Sequence, residues 1–267
     1  PNTITDFTRD DASYGQVGKI ALGDMEISED GLSLWTINLA DRNLYKIPLG
    51  SDPYNPVAPV SSAANTRYPL WNICDADNDG SNDLISDIDI RPFAIKPYHG
   101  KLYIGVITTA QSTPTVFGNL TARVFAFDAV ANTFTQVLNF PLNYNRGNGN
   151  TGAVPFPYGV PAGSGYSNAN AANWRPWNDV YTTAATFQWS WYDPSWTEGG
   201  YSQPIFAGID FDDAGNMIIG LRDRFGDMMG DGVYDPGGTT LMEANGNGDL
   251  LRAVLNGFGT GWNFVVT

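Results

Sequence analysis

The stretch with the densest potential chemistry is Asp75-Ala-Asp77-Asn-Asp79-Gly80-Ser81-Asn-Asp83. Ca²⁺ takes roughly six to eight oxygen ligands, and acids at the first, third and fifth places of a loop wrap three carboxylates around one point. Gly80 at the sixth place allows the sharp turn, and the Ser81 carbonyl at the seventh is the next expected ligand. Asp83 falls at the ninth, a direct or water-mediated position. The twelfth is Ser86, where an EF-hand has a bidentate Glu, and Asp87 follows it. The flanks do not read as helices, so the spacing predicts a calcium loop of the repeat-protein kind, with Asp75, Asp77, Asp79, Ser81 and Asp83 as ligands. The plainer alternative is a solvated acidic turn.

Other groups are weaker candidates. Asp223, Asp227, Asp231 and Asp235 recur every four residues, but Gly226, Gly230 and Gly232 between them argue against a helix and for an acidic loop. Glu26, Asp89 and Asp210 fall on expected strands. Two carboxylates converging there could serve as acid and base on a glycosidic bond, or could simply hydrogen-bond neighbouring backbone. His99 is the one histidine and sits in an expected hairpin turn, which leaves neither a multi-histidine zinc site nor a triad. Cys74 has no cation beside it in sequence to activate its thiol and reads as a structural residue. No phosphate-binding glycine loop follows a strand and opens a helix. The chain is therefore read as having no catalytic residues.

Aromatic chemistry is concentrated in one place. Residues 141–203 are almost uncharged and rich in Gly, Asn and Pro, yet hold Trp174, Trp177, Trp189, Trp191 and Trp196. Disordered segments are depleted in aromatics, so this insertion is expected to be ordered. Flat rings beside Asn and Asp could stack on sugars. The same rings could equally pack the insertion itself, because Trp carries so much apolar area.

The elements that must position these residues repeat. GDMEISEDGLSLWTINLADRNLYKIPL from Gly23, FAIKPYHGKLYIGVI with ARVFAFDAVANTFTQVL from Phe93, and GIDFDDAGNMIIGL with TLMEANGNGDLLRAVL from Gly208 share one pattern. Each alternates apolar and polar residues through short strands, with a tight turn ending in Gly31, Gly100 or Gly215. Glycine supplies the positive φ that such a hairpin turn needs. Recurring four-stranded antiparallel units predict an all-β β-propeller, with clear blades near residues 23–50, 89–140 and 204–257 and the Trp-rich insertion at 141–203. A sandwich built from similar hairpins is the competing architecture. Three blades do not close a ring, so the single domain spanning 1–267 reads as part of a larger propeller.

Composition bounds the partners. The 267 residues carry 14 Lys and Arg against 28 Asp and Glu, a formal net charge of −14. Such a surface repels nucleic acid and anionic membrane. No run is long and apolar enough to suggest membrane insertion. Of the acids 24 are Asp and 4 are Glu, beside 24 Asn and 30 Gly, which favours turns and oxygen-ligand loops over helices. With one cysteine no internal disulfide can form, and the Asp-rich composition tips the expected compartment to the outside of the cell. Pro1 in place of a Met suggests a processed chain or a piece of a longer one.

The strings GDMEISEDGLSLWTINLADRNLYKIPL, PIFAGIDFDDAGNMIIGLRDRFGD and NGDLLRAVLNG resemble the β-propeller region of large secreted bacterial surface proteins, the kind that carry Ser-Asp-repeat B-like domains. The likeness covers most of residues 15–50 and 174–257. It implies a multi-blade propeller at the cell exterior, within a long adhesin-like polypeptide, and no defined enzymatic activity. The expectation is thus a non-catalytic adhesive or structural module that holds calcium and meets an extracellular protein or glycan. The alternatives are a carbohydrate-binding module using the Trp-rich loop, or a propeller glycosidase or lyase.

Overall fold

The computed structural model describes residues 12–52, 54–55, 57, 65–75, 85–144, 146, 173–181, 186–187, 197–199, 201–236, 238, 241–244, 246, 248–256 and 261–265. The described chain is all-β, with one short α-helix and a few 3₁₀ turns. It divides into two compact units where the sequence suggested a single domain. One comprises 1–17, 143–204 and 222–248; the other comprises 18–142, 205–221 and 249–267.

The larger unit holds three four-stranded antiparallel sheets. The first is made of β1 (Leu22–Ile27), β2 (Ser33–Asn38), β3 (Asn43–Pro48) and β4 (Thr66–Pro69), each paired with the next. The second runs β5 (Ile90–Tyr98), β6 (Lys101–Thr108), β7 (Thr121–Asp128) and β8 (Thr133–Pro141). In the smaller unit, β9 (Thr186–Phe187) and β10 (Thr197–Gly199) come from the Trp-rich insertion. The third sheet of the larger unit is built on β11 (Pro204–Phe211) and β12 (Met217–Asp223). After β12 the chain forms α1 (Arg224–Met229), β13 (Asp231–Tyr234) and β14 (Leu241–Ala244). It then completes the third sheet with β15 (Asp249–Leu255) and β16 (Trp262–Val265).

Two blade limits differ from the sequence reading. The first sheet takes its fourth strand from Thr66–Pro69, beyond residue 50. In the third, Leu241–Ala244 does not join the sheet at all. It pairs with β13 on one side and, in parallel, with β10 on the other. Its place beside β12 is taken by β15, and β16 supplies the fourth strand. Short apolar runs do not encode their partner, so pattern alone could not separate these choices.

The glycine-ended turns are as read. Gly31, Gly100 and Gly215 have φ of 72°, 74° and 77° and close the hairpins β1–β2, β5–β6 and β11–β12. A second device recurs at the β2–β3 and β7–β8 turns and again in the turn that holds Gly215: the carboxylates of Asp41, Asp128 and Asp212 accept the backbone N–H two residues on. Asp does this well because its short side chain reaches back to its own turn.

Packing follows from strand alternation. One face of the first sheet, with Trp35, Ile37 and Leu44, meets Ile95, Ile104, Val106 and Phe127 of the second. Trp35 and Phe127 contact edge to face at 6.1 Å. The third sheet lies on the second sheet's other face, through Tyr98 stacked on Phe211 at 3.9 Å, Phe140 on Phe264 at 4.0 Å, and Tyr103 against Trp262. The second sheet is therefore the middle of a three-sheet stack. In the smaller unit, Tyr14, Phe225, Met228, Met229 and Met242 form a separate core.

Candidate functional site

Strand β7 carries two jobs on one face. Alternation turns Thr121, Arg123, Phe125 and Phe127 the same way. Towards the β7–β8 turn, Phe127 packs into the core with Tyr68 and Phe134. Towards the other end, Arg123 and Thr121 line a recess of about 670 Å³, with Phe125 and Phe134 on its apolar side and Gln136 and Asn119 among its polar groups. The Arg123 guanidinium is held by neutral oxygens. Its Nε donates to Thr108 Oγ1 at 3.1 Å and Thr121 Oγ1 at 3.3 Å, and its Nη1 donates to Gln136 Oε1 at 2.7 Å. None of these contacts uses Nη2 or a carboxylate.

Asp89 forms the recess's structural rim. It is buried, and its Oδ1 accepts from Thr109 Oγ1 at 3.1 Å and Ser112 N at 2.9 Å. Its Oδ2 accepts from Ser112 Oγ. A carboxylate satisfied this fully fastens the segment after β6 and is not presented as an acid or base. Glu26 and Asp210 do come together, through a third residue. Lys96 on β5 lies 3.4 Å from Glu26 Oε1 on β1 and 3.5 Å from Asp210 Oδ1 on β11. Burial acts to lower the Lys96 pKa, but the two carboxylates outweigh it and raise the value above the usual lysine range. The three carboxylates named for glycosidic chemistry are thus split: two share one ammonium and the third is a buried fastening.

For the calcium motif, Asp75 lies at the edge of the recess. Asp77, Asp79, Ser81 and Asp83 lie outside the described residues, and among the described residues no group of three or more His, Cys, Asp or Glu converges. The second acidic run is different from its sequence reading. Arg224–Met229 is helical despite Gly226, with Asp223 as its N-cap accepting from Phe225 N at 2.9 Å. Asp223 also accepts from Gln203 N, and Asp227 pairs with Arg222. Gly226 is needed for space: a Cβ there would lie 3.1 Å from the Gly246 Cα. Capping and close approach override a glycine's helix penalty of about 1 kcal/mol.

His99 sits in the β5–β6 turn with φ of 50°, as read; Cys74, expected to be buried, is half-buried at the margin of the core and borders the recess. Trp174 and Trp177 are each only 2% exposed and take the packing alternative. Trp174 Nε1 donates to Tyr144 Oη at 3.0 Å, with the Arg146 guanidinium 3.5 Å over its ring. Trp177 Nε1 donates to the Pro204 carbonyl at 2.7 Å. Neither offers a free face to a sugar. Trp189, Trp191 and Trp196 lie outside the described residues.

Two arginines carry structure or chemistry that the sequence did not single out. Arg224 is wholly buried against Trp177, and it donates to the carbonyls of Val17, Asn178 and Gly15, to Gln203 Oε1 and to Asp179 Oδ1. Burial lowers its pKa and Asp179 opposes that shift. Arg123 differs in having no acid among its hydrogen-bond contacts within the described residues. Alternation with Thr121 and Phe125 on one strand was the available signal, but nothing in the sequence shows that a recess opens beside it.

No protein-family model matches the chain, and no solved structure matches it. Among curated proteins it is similar to three from Dictyostelium discoideum. It is 27% identical to Colossin-A over 82% of the chain and 2% of that protein. It is 28% identical to Colossin-D over 90% of the chain and 19% of that protein. To Colossin-B it is 26% identical over 91% of the chain and 6% of that protein. The chain thus spans less than a fifth of the length of each of these much larger relatives.

Proposed function

We propose that the chain is a non-catalytic module of an extracellular assembly, a segment of a calcium-stabilised β-propeller that serves adhesion or construction at a cell surface. The observation that carries this reading is the three-sheet stack and what it leaves open. β1, β5 and β11, the first strands of the three sheets, meet at Lys96, as first strands do around a propeller axis. At one end of the stack the first sheet's outer face carries Met25 and Ile27, 54% and 49% exposed, and Ile27 aligns with Leu34 and Ile47 across the strands. At the other end the third sheet's outer face carries Leu250, 80% exposed, with Val254 and Val265 around the Arg252–Asp212 pair. Repeat architectures normally close with polar caps, because each unit buries its apolar face on the next. Open apolar faces at both ends mark a stack built to continue.

The occupant is a further four-stranded sheet of the same construction, supplied in isolation by a second copy packing head to tail, the third sheet of one against the first sheet of the next. Such a contact is heterologous, so it closes a ring or extends a fibre. Sedimentation velocity over a concentration series tests it. Association lost in either Leu250→Arg or Met25→Arg, with the melting temperature retained, is the expected result. A protein that stays monomeric up to high concentration, or an association indifferent to both substitutions, would sink the assembly reading. The Asp75–Asp83 loop supports calcium, and the likeness to bacterial surface propellers supports an extracellular place and a protein or glycan partner.

A further inference from the structure

We infer that the recess beside β7 is a binding site for a carboxylate-bearing saccharide, a uronic-acid unit of a glycan, with Arg123 as the group that takes the carboxylate. The inference deepens the adhesive reading and rests on it for the origin of the ligand outside the cell; it needs neither the open sheet ends nor calcium.

The volume is that of a small-ligand site. At about 670 Å³ the recess falls within the range of roughly 300–1,000 Å³ typical of such pockets. Its lining mixes two chemistries. Phe134, half-buried at the margin of the core, supplies an apolar surface suited to the C–H face of a pyranose, above the buried Phe125. Gln136, Asn119 and Thr113 supply amide and hydroxyl groups, which both donate and accept as sugar hydroxyls require.

The charge selects among sugars. Three arginines are matched to acids: Arg222 to Asp227, Arg224 to Asp179, Arg252 to Asp212. Arg123 is instead held in place by Thr108, Thr121 and Gln136, three neutral partners that fix the fork without a carboxylate in hydrogen-bond contact among the described residues. A half-buried guanidinium oriented this way, with Nη2 outside those contacts, suits a carboxylate, to which arginine donates in parallel pairs. A doubly charged phosphate fits less well than a single carboxylate, since Asp75 and Asp89 also border the recess and repel each negative charge that is brought in. One carboxylate on a polyhydroxylated ring satisfies both the single cation and the hydroxyl-matching rim.

Titration calorimetry decides it, using a galacturonate trisaccharide, its uncharged galactose counterpart and an acidic tripeptide, each at low protein concentration with calcium and with EDTA. The expected result is binding of the galacturonate alone, weakened at least tenfold in Arg123→Gln and partly restored in Arg123→Lys, with unchanged melting temperatures. Leu250→Arg, which targets the sheet ends, should bind the trisaccharide normally, so failure of the assembly reading and failure of this one are separable. Equal affinity for both trisaccharides, preference for the acidic peptide, an affinity unaffected by Arg123→Gln, or no heat with any probe would each overturn the assignment. If Arg123→Gln melts early, Asn119→Ala at the rim serves instead, with a several-fold loss expected and an unchanged affinity counting against the site.

Discussion

At the residue scale, the Asp-rich composition points in sequence to both turns and oxygen-ligand loops, and the structure shows the first of these. In the structure Asp30, Asp41, Asp52, Asp128 and Asp212 each accept the N–H two residues on, a turn-forming use that Glu, one methylene longer, serves poorly. The consequence is acid sensitivity. The side-chain N–H of Asn216, then its backbone N–H, holds the Asp212 pKa below the usual 3.8, and the backbone N–H groups of Ala131 and Val130 do the same for Asp128. A carboxyl with a lower pKa folded than unfolded contributes stability above the unfolded value and loses it as pH falls through the folded one. Both turns should therefore hold their full contribution at neutral pH and lose it below about pH 4. Thermal melts of the wild type and Asp212→Asn between pH 7 and pH 3 check this. The substitution should lower the melting temperature at pH 7, and the gap should narrow at pH 3. A gap of constant size would mean that the charge of Asp212 has no part in the turn.

At the scale of elements, hairpins were legible and partners were not. Gly31, Gly100 and Gly215 announced their turns because positive φ has a specific residue signature, whereas β14 went to another sheet because nothing local distinguishes the neighbours of a four-residue apolar strand. Sheet-to-sheet approach is a further property that pattern does not record. Gly105, in the middle of β6, has an ordinary strand position in sequence. A Cβ there would come within 2.7 Å of three ring carbons of Phe206, which is fully buried. Gly105→Ala is expected to destabilise by about 1–3 kcal/mol through overpacking, read from urea unfolding, even though alanine usually stabilises a strand relative to glycine. No loss would mean that the second and third sheets stand further apart. The connection from β4 to β5 is the other element-level case, since it carries the calcium motif. EDTA should lower the melting temperature, and Asp77→Asn should remove that response; identical melts with and without EDTA would withdraw the metal.

At the scale of the molecule, a repeat was legible in the sequence because the same four-strand pattern returns. Its ends were not, since an apolar residue on an outward face looks like any other strand residue. The two kinds of surface on this chain set opposite terms for association. The outward faces of Met25 and Ile27 and of Leu250 and Val254 gain by leaving water. Against that, each copy carries a net charge of −14, so two copies approach against like-charge repulsion that extends about 10 Å in 0.1 M salt and about 3 Å in 1 M. Salt should act on the second term far more than on the first. Head-to-tail association is therefore expected to strengthen from 0.05 M to 0.5 M sodium chloride, with the sedimentation midpoint moving to lower protein concentration by several-fold. A contact held together by ion pairs would show the opposite slope. Leu250→Arg separates the terms further: it reduces the net charge to −13 and so eases repulsion, yet it should abolish association because it places a guanidinium on the apolar face. An arginine variant that associates more tightly than the wild type would mean that charge, and not the exposed sheet faces, governs how these modules meet.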